Sequence, residues 1–266
     1  MKASSAAFRA SRNLGDPRHQ PRTLTRVLVS SPARSRSWFL RSFVLAAAFV
    51  ATIVLLPAPL YAQGGPPLVT DDPGTPGPGN WEVNLALTLD RRSSSSRVGT
   101  PLIDANYGWG ERLQLKLEIP WVVVAGEPGG ARNGLGNPLL GVKWRFLDEA
   151  TSGIAVSTYP QFGFNLLRST ADRGLSEQET SFLLPVSAMK TLGPLEINIE
   201  IGRLFQGGSS GSWVGGLALG HVFGTVEALA EMFATGGSLP EDRQVLLNVG
   251  ARVPLGESSS LLVSGG

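Results

Sequence analysis

The chain has 266 residues, enough for one or two domains, and a formal net charge of +2. Nine of the 23 basic residues but only one of the 21 acidic residues lie in 1–41, so the remaining chain carries 14 basic and 20 acidic residues. That remainder has no basic face of the kind that binds nucleic acid, and no nucleic-acid partner is expected. With no cysteine, the chain has no disulfide, cysteine nucleophile or thiolate metal site.

Residues 1–62 have the organisation of an extended N-terminus followed by a secretory signal peptide. Arginines between 34 and 41 precede the uncharged apolar run 43–56, and prolines and small residues lead from the run to Ala62. The run has about 14 residues, fewer than the roughly 20 that a membrane-spanning helix needs. We predict cleavage near Ala62. The alternative is an uncleaved anchor helix, and a true gene start near Val27 is also open.

After the signal peptide, apolar and polar residues alternate with the period of two that β-strands produce. In 112–119, leucine and isoleucine alternate with arginine, glutamine, lysine and glutamate, and 81–90, 194–202 and 244–253 repeat the pattern. Weaker alternation predicts further strands at 101–109, 138–147, 153–165, 179–189, 212–222 and 224–234. That makes about ten strands of about 9–13 residues, long enough to cross a bilayer when tilted. An eleventh strand begins at 259–263.

The connections and the strand ends favour a membrane barrel. Short turns, such as 108–110 and 192–194, alternate with longer polar loops, such as 91–99 and 126–136, as in barrels with tight periplasmic turns and external loops. Aromatic residues near strand ends are expected to form interfacial girdles: Trp81, Tyr107, Trp109, Trp121, Trp144, Phe146 and Trp213. We therefore predict an all-β fold, an antiparallel transmembrane β-barrel of about 10–12 strands in 81–266, preceded by a periplasmic segment at 63–80. The alternative is a periplasmic β-sandwich.

Charged residues that alternate inward are the lumen-facing candidates. They are Glu82, Asp104, Arg112, Lys116, Glu118, Lys143, Arg145, Glu196, Glu200, Glu227, Glu231 and Arg252. In a barrel they either line a pathway for solutes or pair into a network that fills the lumen, and the sequence leaves both open.

The sequence predicts no enzyme, no catalytic residue, no metal site and no cofactor. It contains no Gly-x-Ser-x-Gly motif and no nucleotide-binding loop. His221 is the one histidine after Ala62, and we expect it to be structural. A barrel hydrolase would need a serine within its reach. Asp71 and Asp72 are expected to cap the turn at Pro73-Gly74, because two adjacent carboxylates supply too few oxygens for Ca²⁺.

Three segments resemble the meta-pathway of phenol degradation family of outer-membrane β-barrels. They are 66–83, which reads PPLVTDDPGTPGPGNWEV, the Tyr-Gly turn and alternating strand in 107–120, and the glycine-rich entry into a Lys-Trp-Arg-Phe strand in 134–146. The similarity extends over about residues 66 to 263. It departs at Asn137, where the family usually has aspartate, and at the C-terminus, where members continue to a strand that ends in an aromatic residue.

The resemblance implies an outer-membrane location in a Gram-negative-type envelope, with lipid around the barrel. It also implies passive transport of small, hydrophobic or aromatic compounds, and it brings no catalytic residues. A structural or envelope-binding barrel with a plugged lumen is the alternative function. Neither the solute nor the oligomeric state follows from the sequence.

The C-terminus poses a problem of closure. Bacterial barrels have an even number of strands, and an open edge in lipid leaves backbone N–H and C=O groups unpaired. Three explanations are open: a truncated sequence, closure at ten strands, or completion by another chain. We favour truncation because Leu261-Leu262-Val263 reads as a strand cut short. We therefore expect a gap between the strand at 81–90 and the last strand.

Overall fold

The computed structural model describes residues 67–91, 95–126, 130–207, 211–237 and 243–266. All of them belong to the second of two compact units, Leu56–Gly266. The first unit, Met1–Leu55, and the predicted signal peptide at 1–62 lie outside the described residues. Within the described ranges, no helix is long and apolar enough to cross a membrane.

The described residues form one antiparallel sheet of 13 strands. The strands are β1 (Trp81–Arg91), β2 (Ser96–Trp109), β3 (Leu113–Ala125), β4 (Arg132–Leu135), β5 (Leu139–Leu147), β6 (Ala155–Thr158), β7 (Gln161–Gly163), β8 (Ser181–Leu192), β9 (Leu195–Gln206), β10 (Ser212–Phe223), β11 (Val226–Gly236), β12 (Gln244–Pro254) and β13 (Ser260–Gly265). Two short helices, α1 (Glu149–Ser152) and α2 (Arg168–Asp172), lie in connections.

The 13 strands occupy eleven positions in the sheet. The order is β1-β2-β3-β5-β6-β8-β9-β10-β11-β12-β13. The short strand β4 pairs with β3, as β5 does, and the short strand β7 pairs with β5 and β8, as β6 does. Each short strand therefore continues the position of its longer neighbour. The predicted ten strands and the start of an eleventh are confirmed.

Alternation along each strand separates the two faces of the sheet by polarity, and β9 is the clearest case. Ile199 and Ile201 are 53% and 59% exposed, whereas Asn198 and Glu200, which alternate with them, are 1% and 4% exposed. Leucines 113, 115 and 117 of β3 are likewise exposed. Apolar side chains thus cover the outer face, and polar side chains are buried on the inner face. The apolar set faces away from the polar set, and no second sheet among the described residues packs against the apolar face.

Two-residue turns join several strands on one rim of the sheet. Leu192 pairs with Leu195 and Phe223 pairs with Val226, so each hairpin leaves two residues in its turn. The first turn residues, Gly193 and Gly224, have φ angles of 59° and 63°, which glycine adopts at no steric cost. These glycines fix the register of the β8-β9 and β10-β11 hairpins.

Strands extend into two regions that the sequence predicted as loops. β2 begins at Ser96, which pairs with Ala125 of β3, and β4 lies within the predicted loop at 126–136. β3 also continues beyond its predicted end through 122–124, a run of three valines that has no period-two alternation although β-branched residues favour strands. The pairing register of β2 and β3 shifts between Gly99 and Leu102, beside a proline.

The two ends of the sheet do not pair with each other. Among the described residues, β1 pairs only with β2, and β13 only with β12, which confirms the predicted gap. Every neighbouring pair is antiparallel, so over eleven positions β1 and β13 run in the same direction. Antiparallel closure therefore needs an even number of positions.

Candidate functional site

The buried polar face of the sheet is the candidate site. Twelve of its polar residues are at most 8% exposed: Asp104, Asn106, Gln114, Lys143, Ser157, Ser187, Glu196, Asn198, Glu200, Glu227, Glu231 and Asn248. Buried polar groups require partners, because an unpaired one in a low-dielectric interior costs several kcal/mol. For most of the twelve, the partners come from neighbouring strands and from the residues that precede β1, whereas Ser157 Oγ has no hydrogen-bond partner among the described residues.

The structure brings together most of the twelve predicted lumen-facing residues. Six are buried on the inner face: Asp104, Lys143, Glu196, Glu200, Glu227 and Glu231. Four are half-buried: Lys116, Glu118, Arg145 and Arg252. Glu82 is exposed because it lies on the edge strand β1, and it accepts a hydrogen bond from Asn84. Arg112 is also exposed, because it lies in the turn that precedes β3 rather than in a strand.

Ion pairs and amide hydrogen bonds link the inner face across strands. Lys116 Nζ lies 3.2 Å from Asp104 Oδ1 and 3.6 Å from Glu118 Oε2. Toward the opposite edge of the sheet, Arg252 Nη1 of β12 lies 3.0 Å from Glu227 Oε2 of β11. Acids and bases that repeat on neighbouring strands therefore neutralise one another locally.

The residues that precede β1, here called the N-terminal segment (residues 67–80), lie against this inner face. The carboxylate of Glu231 on β11 accepts hydrogen bonds from the backbone N–H groups of Val69 and Thr70, and from Asn248 Nδ2. Glu200 Oε2 on β9 accepts one from the N–H of Asp71, at 3.1 Å. Charged acceptors make the strongest hydrogen bonds to backbone N–H groups, so the two glutamates hold an otherwise irregular chain.

Lys143 on β5 holds the segment from the opposite wall. Its Nζ lies 2.9 Å from Asp71 Oδ1 and donates to the backbone carbonyl of Asp72, at 2.7 Å. Asn198 Nδ2 on β9 donates to the carbonyl of Asp71, at 2.7 Å. β5 and β9, which are three positions apart in the sheet, therefore both bind Asp71.

Asp72 forms the turn cap that the sequence predicts, because its Oδ1 accepts a hydrogen bond from the N–H of Gly74. Burial raises the pKa of the Asp72 carboxyl from 3.8 to about 6, and the ammonium of Lys143 opposes that rise. The carboxyl therefore takes up a proton in mildly acidic solution. Asp71 has a different role from the one predicted, because its side chain pairs with Lys143.

Glycines shape the wall where the segment crosses it. A Cβ atom at Gly216 of β10 would lie 2.1 Å from Thr70 Oγ1 and 3.0 Å from Thr70 Cβ. A Cβ atom at Gly108 of β2 would lie 1.8 Å from the carbonyl oxygen of Gly77. Any other residue at these two positions would displace the segment. The inner wall is therefore complementary in shape to the segment at these glycines.

A second inward structure is the loop between β7 and β8, at 164–180. Leu175 is fully buried against Val122 and Val124 of β3. Arg97 of β2 donates to the carbonyls of Gly174 and Leu175, at 3.2 and 2.6 Å. The loop contacts β2, β3 and β4, which lie toward the β1 edge of the sheet. Residues 67–72 of the N-terminal segment contact strands from β5 to β13.

Replacement of Arg97 by alanine is expected to release this loop. Hydrogen bonds from a charged group contribute about 1.5–3 kcal/mol, and cleavage of a locally opened loop follows the open population. Trypsin should therefore cut after Arg168 or Arg173 about tenfold faster or more. Arg243→Ala, an exposed position at the start of β12, is the matched control. Equal cleavage rates in the two variants would contradict this role of Arg97.

Some site residues could have been found from the sequence, and others could not. Asn106, Gln114, Asn198 and Asn248 occupy inward positions of the same alternation that identified the charged candidates. The N-terminal segment carries no such signal. It was predicted as a periplasmic segment at 63–80, and its placement on the inner face depends on contacts with strands 72 to 162 residues away in the sequence.

A crevice beside the segment is lined by Leu68, Glu196, Asn198, Ala218 and Leu229, and it is too narrow to admit a water-sized sphere. Within the described ranges, no three histidine, aspartate or glutamate side chains are grouped to hold a metal ion. His221 packs its ring against Phe223 at 4.3 Å, and neither ring nitrogen forms a hydrogen bond with a described residue.

The chain matches no protein-family model and no curated protein sequence. Its function is therefore inferred from the geometry of the sheet and of the inner face.

Proposed function

We propose that the chain is an outer-membrane β-barrel that provides a passive pathway for small solutes. The observation that carries this proposal is the inverted polarity of the sheet. Ile201 on the outer face is 59% exposed, whereas Lys143 on the inner face is 3% exposed. In water such a surface would favour aggregation, whereas lipid solvates the apolar outer face. Resemblance to the phenol-degradation family is consistent with this location and favours hydrophobic or aromatic solutes.

Exposed tryptophans at both ends of the strands support the proposal. Trp81, Trp109 and Trp144 lie at the rim with the short turns, and Trp121 and Trp213 lie toward the other rim, all 43–66% exposed. Leu113, which pairs with Trp144, and Trp121 are eight residues apart on β3, about 26 Å along the strand. With strands tilted by about 35–45°, that stretch spans a height of about 19–22 Å, and outer-membrane barrels carry an apolar band about 25 Å tall between aromatic girdles.

The N-terminal segment favours the second candidate function, a structural barrel with a filled lumen. Lys143, Glu200 and Glu231 each bind backbone or side-chain groups of the segment, so the charged inner face is occupied by the chain itself. A pathway function requires that this segment can leave its place, whereas a structural function requires that it stays.

Reconstitution into lipid bilayers tests the location and separates the two functions. Lipids brominated in their acyl chains should quench the exposed tryptophans, whereas the soluble quencher iodide should reach them poorly. Ionic conductance of the inserted protein, in the wild type or once the N-terminal segment is displaced, is expected for the pathway, whereas the filled barrel conducts in neither state. Tryptophans quenched by iodide but not by brominated lipid would overturn the membrane proposal.

A further inference from the structure

The N-terminal segment meets the inner wall on both sides, and this arrangement bears on how a pathway would be controlled. Pro67 accepts a hydrogen bond from Ser264 of β13, Thr70 contacts β10 and β11, and Asp71 contacts β5 and β9. Residues 67–72 thus lie against strands from β13, at one edge of the sheet, to β5, the fourth of its eleven positions. In a closed barrel, a chain that crosses the inner face in this way would block the lumen.

Most of the contacts that hold residues 67–72 are hydrogen bonds and ion pairs. Two glutamates, Lys143 and Asn198 bind its backbone or the Asp71 carboxylate, and one apolar side chain, Leu68, packs against Ala218 and Leu229. None of the described residues of the segment belongs to a strand of the sheet. Its release would therefore break no strand pairing, and water could replace the polar contacts that it leaves.

We propose that residues 67–74 form a plug that closes the pathway, and that their release opens a conducting path through the barrel. This inference rests on the proposed function. The wall behind the plug carries Glu196, Glu200, Glu227 and Glu231 against Lys143 and Arg252. The vacated path is negative on balance, so it favours potassium over chloride.

A pair of adjacent glycines on β10 provides the test. Gly216 faces the plug, and a side chain there collides with Thr70; Gly215 faces outward, and the nearest atom to its added Cβ is the Glu200 carbonyl oxygen at 3.7 Å. Gly216→Leu should evict the plug, and Gly215→Leu is the matched control. In KCl across a planar bilayer, we expect Gly216→Leu to conduct about tenfold more or better than the wild type, the shift that such overpacking produces in a two-state equilibrium.

Two further measurements identify the conducting path. Under a KCl gradient, the reversal potential of Gly216→Leu should have the sign of cation preference, which a leak through a damaged barrel would lack. Thr70→Gly in the same chain as Gly216→Leu removes the colliding atoms and should lower the conductance again. Gly215→Leu should behave as the wild type does.

A variant on the plug itself covers the case in which Gly216→Leu does not fold. Asp71→Lys replaces the carboxylate that lies 2.9 Å from Lys143 Nζ by a cation, without altering any wall residue. It should release the plug by like-charge repulsion and raise the conductance, and Lys143→Glu added to it should restore part of the block. Pro78→Lys, an exposed position of the same segment, is the matched control.

Access of thermolysin to residues 67–80 reports release independently of conductance. If either variant frees the segment to the protease while the inserted barrel conducts no more than the wild type, the plug proposal is wrong and the membrane proposal stands. If the wild type already conducts as well as Gly216→Leu, the plug proposal is also wrong. Failure of the wild-type protein to insert into lipid would overturn the proposed function instead.

Discussion

Ile199→Arg is expected to destabilise the folded protein in a bilayer by about 2–4 kcal/mol, the cost of placing an arginine at mid-membrane depth on the lipid face of a barrel. Ile199 lies near the middle of β9, is 53% exposed and points away from the inner face. The charged side chain would have to remain in hydrocarbon or distort the bilayer to reach water. Urea titration of the protein folded in phosphatidylcholine vesicles, followed by tryptophan fluorescence, measures the change.

Glu257→Arg is the control for this prediction, because Glu257 lies in the exposed connection between β12 and β13, outside the apolar band. It should change the free energy of unfolding by less than about 0.5 kcal/mol. The alternative of a water-soluble sheet makes the opposite prediction: an arginine on an exposed apolar face would leave stability unchanged and would improve solubility. A neutral Ile199→Arg would therefore count against the membrane location.

The architecture could be predicted from the sequence because alternate residues of a strand face different environments and therefore differ in polarity. In β3 and β9, apolar residues alternate with polar or charged ones, so the sequence predicted which residues of each strand share a face of the sheet. Glycine turns at Gly193 and Gly224 then set the register between neighbours. These signals are local, and each can be read within about a dozen residues.

The plug and the inward loop could not be predicted, because the contacts that place them are not local. Val69 meets Glu231 across 162 positions in the sequence, and Arg97 meets Leu175 across 78. The alternation of polar and apolar residues predicts that Glu231 faces inward, but it does not predict what Glu231 binds there. Gly216 carried a usable signal: a glycine at an inward position within a strand indicates close approach of another backbone, although it does not name the partner.

Lys143→Met should loosen the plug and lower the stability of the protein. The Lys143 ammonium is 3% exposed and lies between the Asp71 carboxylate and the Asp72 carbonyl. Its removal leaves a carboxylate and a carbonyl oxygen without their donor, and loss of one partner of a buried ion pair costs about 3–5 kcal/mol. The plug can escape that cost by leaving the wall for water. The measured loss of stability is therefore the smaller of the pairing energy and the docking energy of the plug.

Two comparisons make the Lys143→Met result decisive. Lys190→Met removes an ammonium that is 44% exposed and lies 3.8 Å from Glu149, so it should cost less than about 1 kcal/mol. Asp71→Leu combined with Lys143→Met replaces both partners by apolar side chains and should recover much of the loss, because a buried pair is often matched by hydrophobic residues of similar size. Thermolysin should cut within 67–80 in the single Lys143 variant and more slowly in the double variant. Equal protection of the segment in all of these variants would show that Lys143 does not anchor it, and that the backbone contacts of Glu200 and Glu231 suffice to hold it in place.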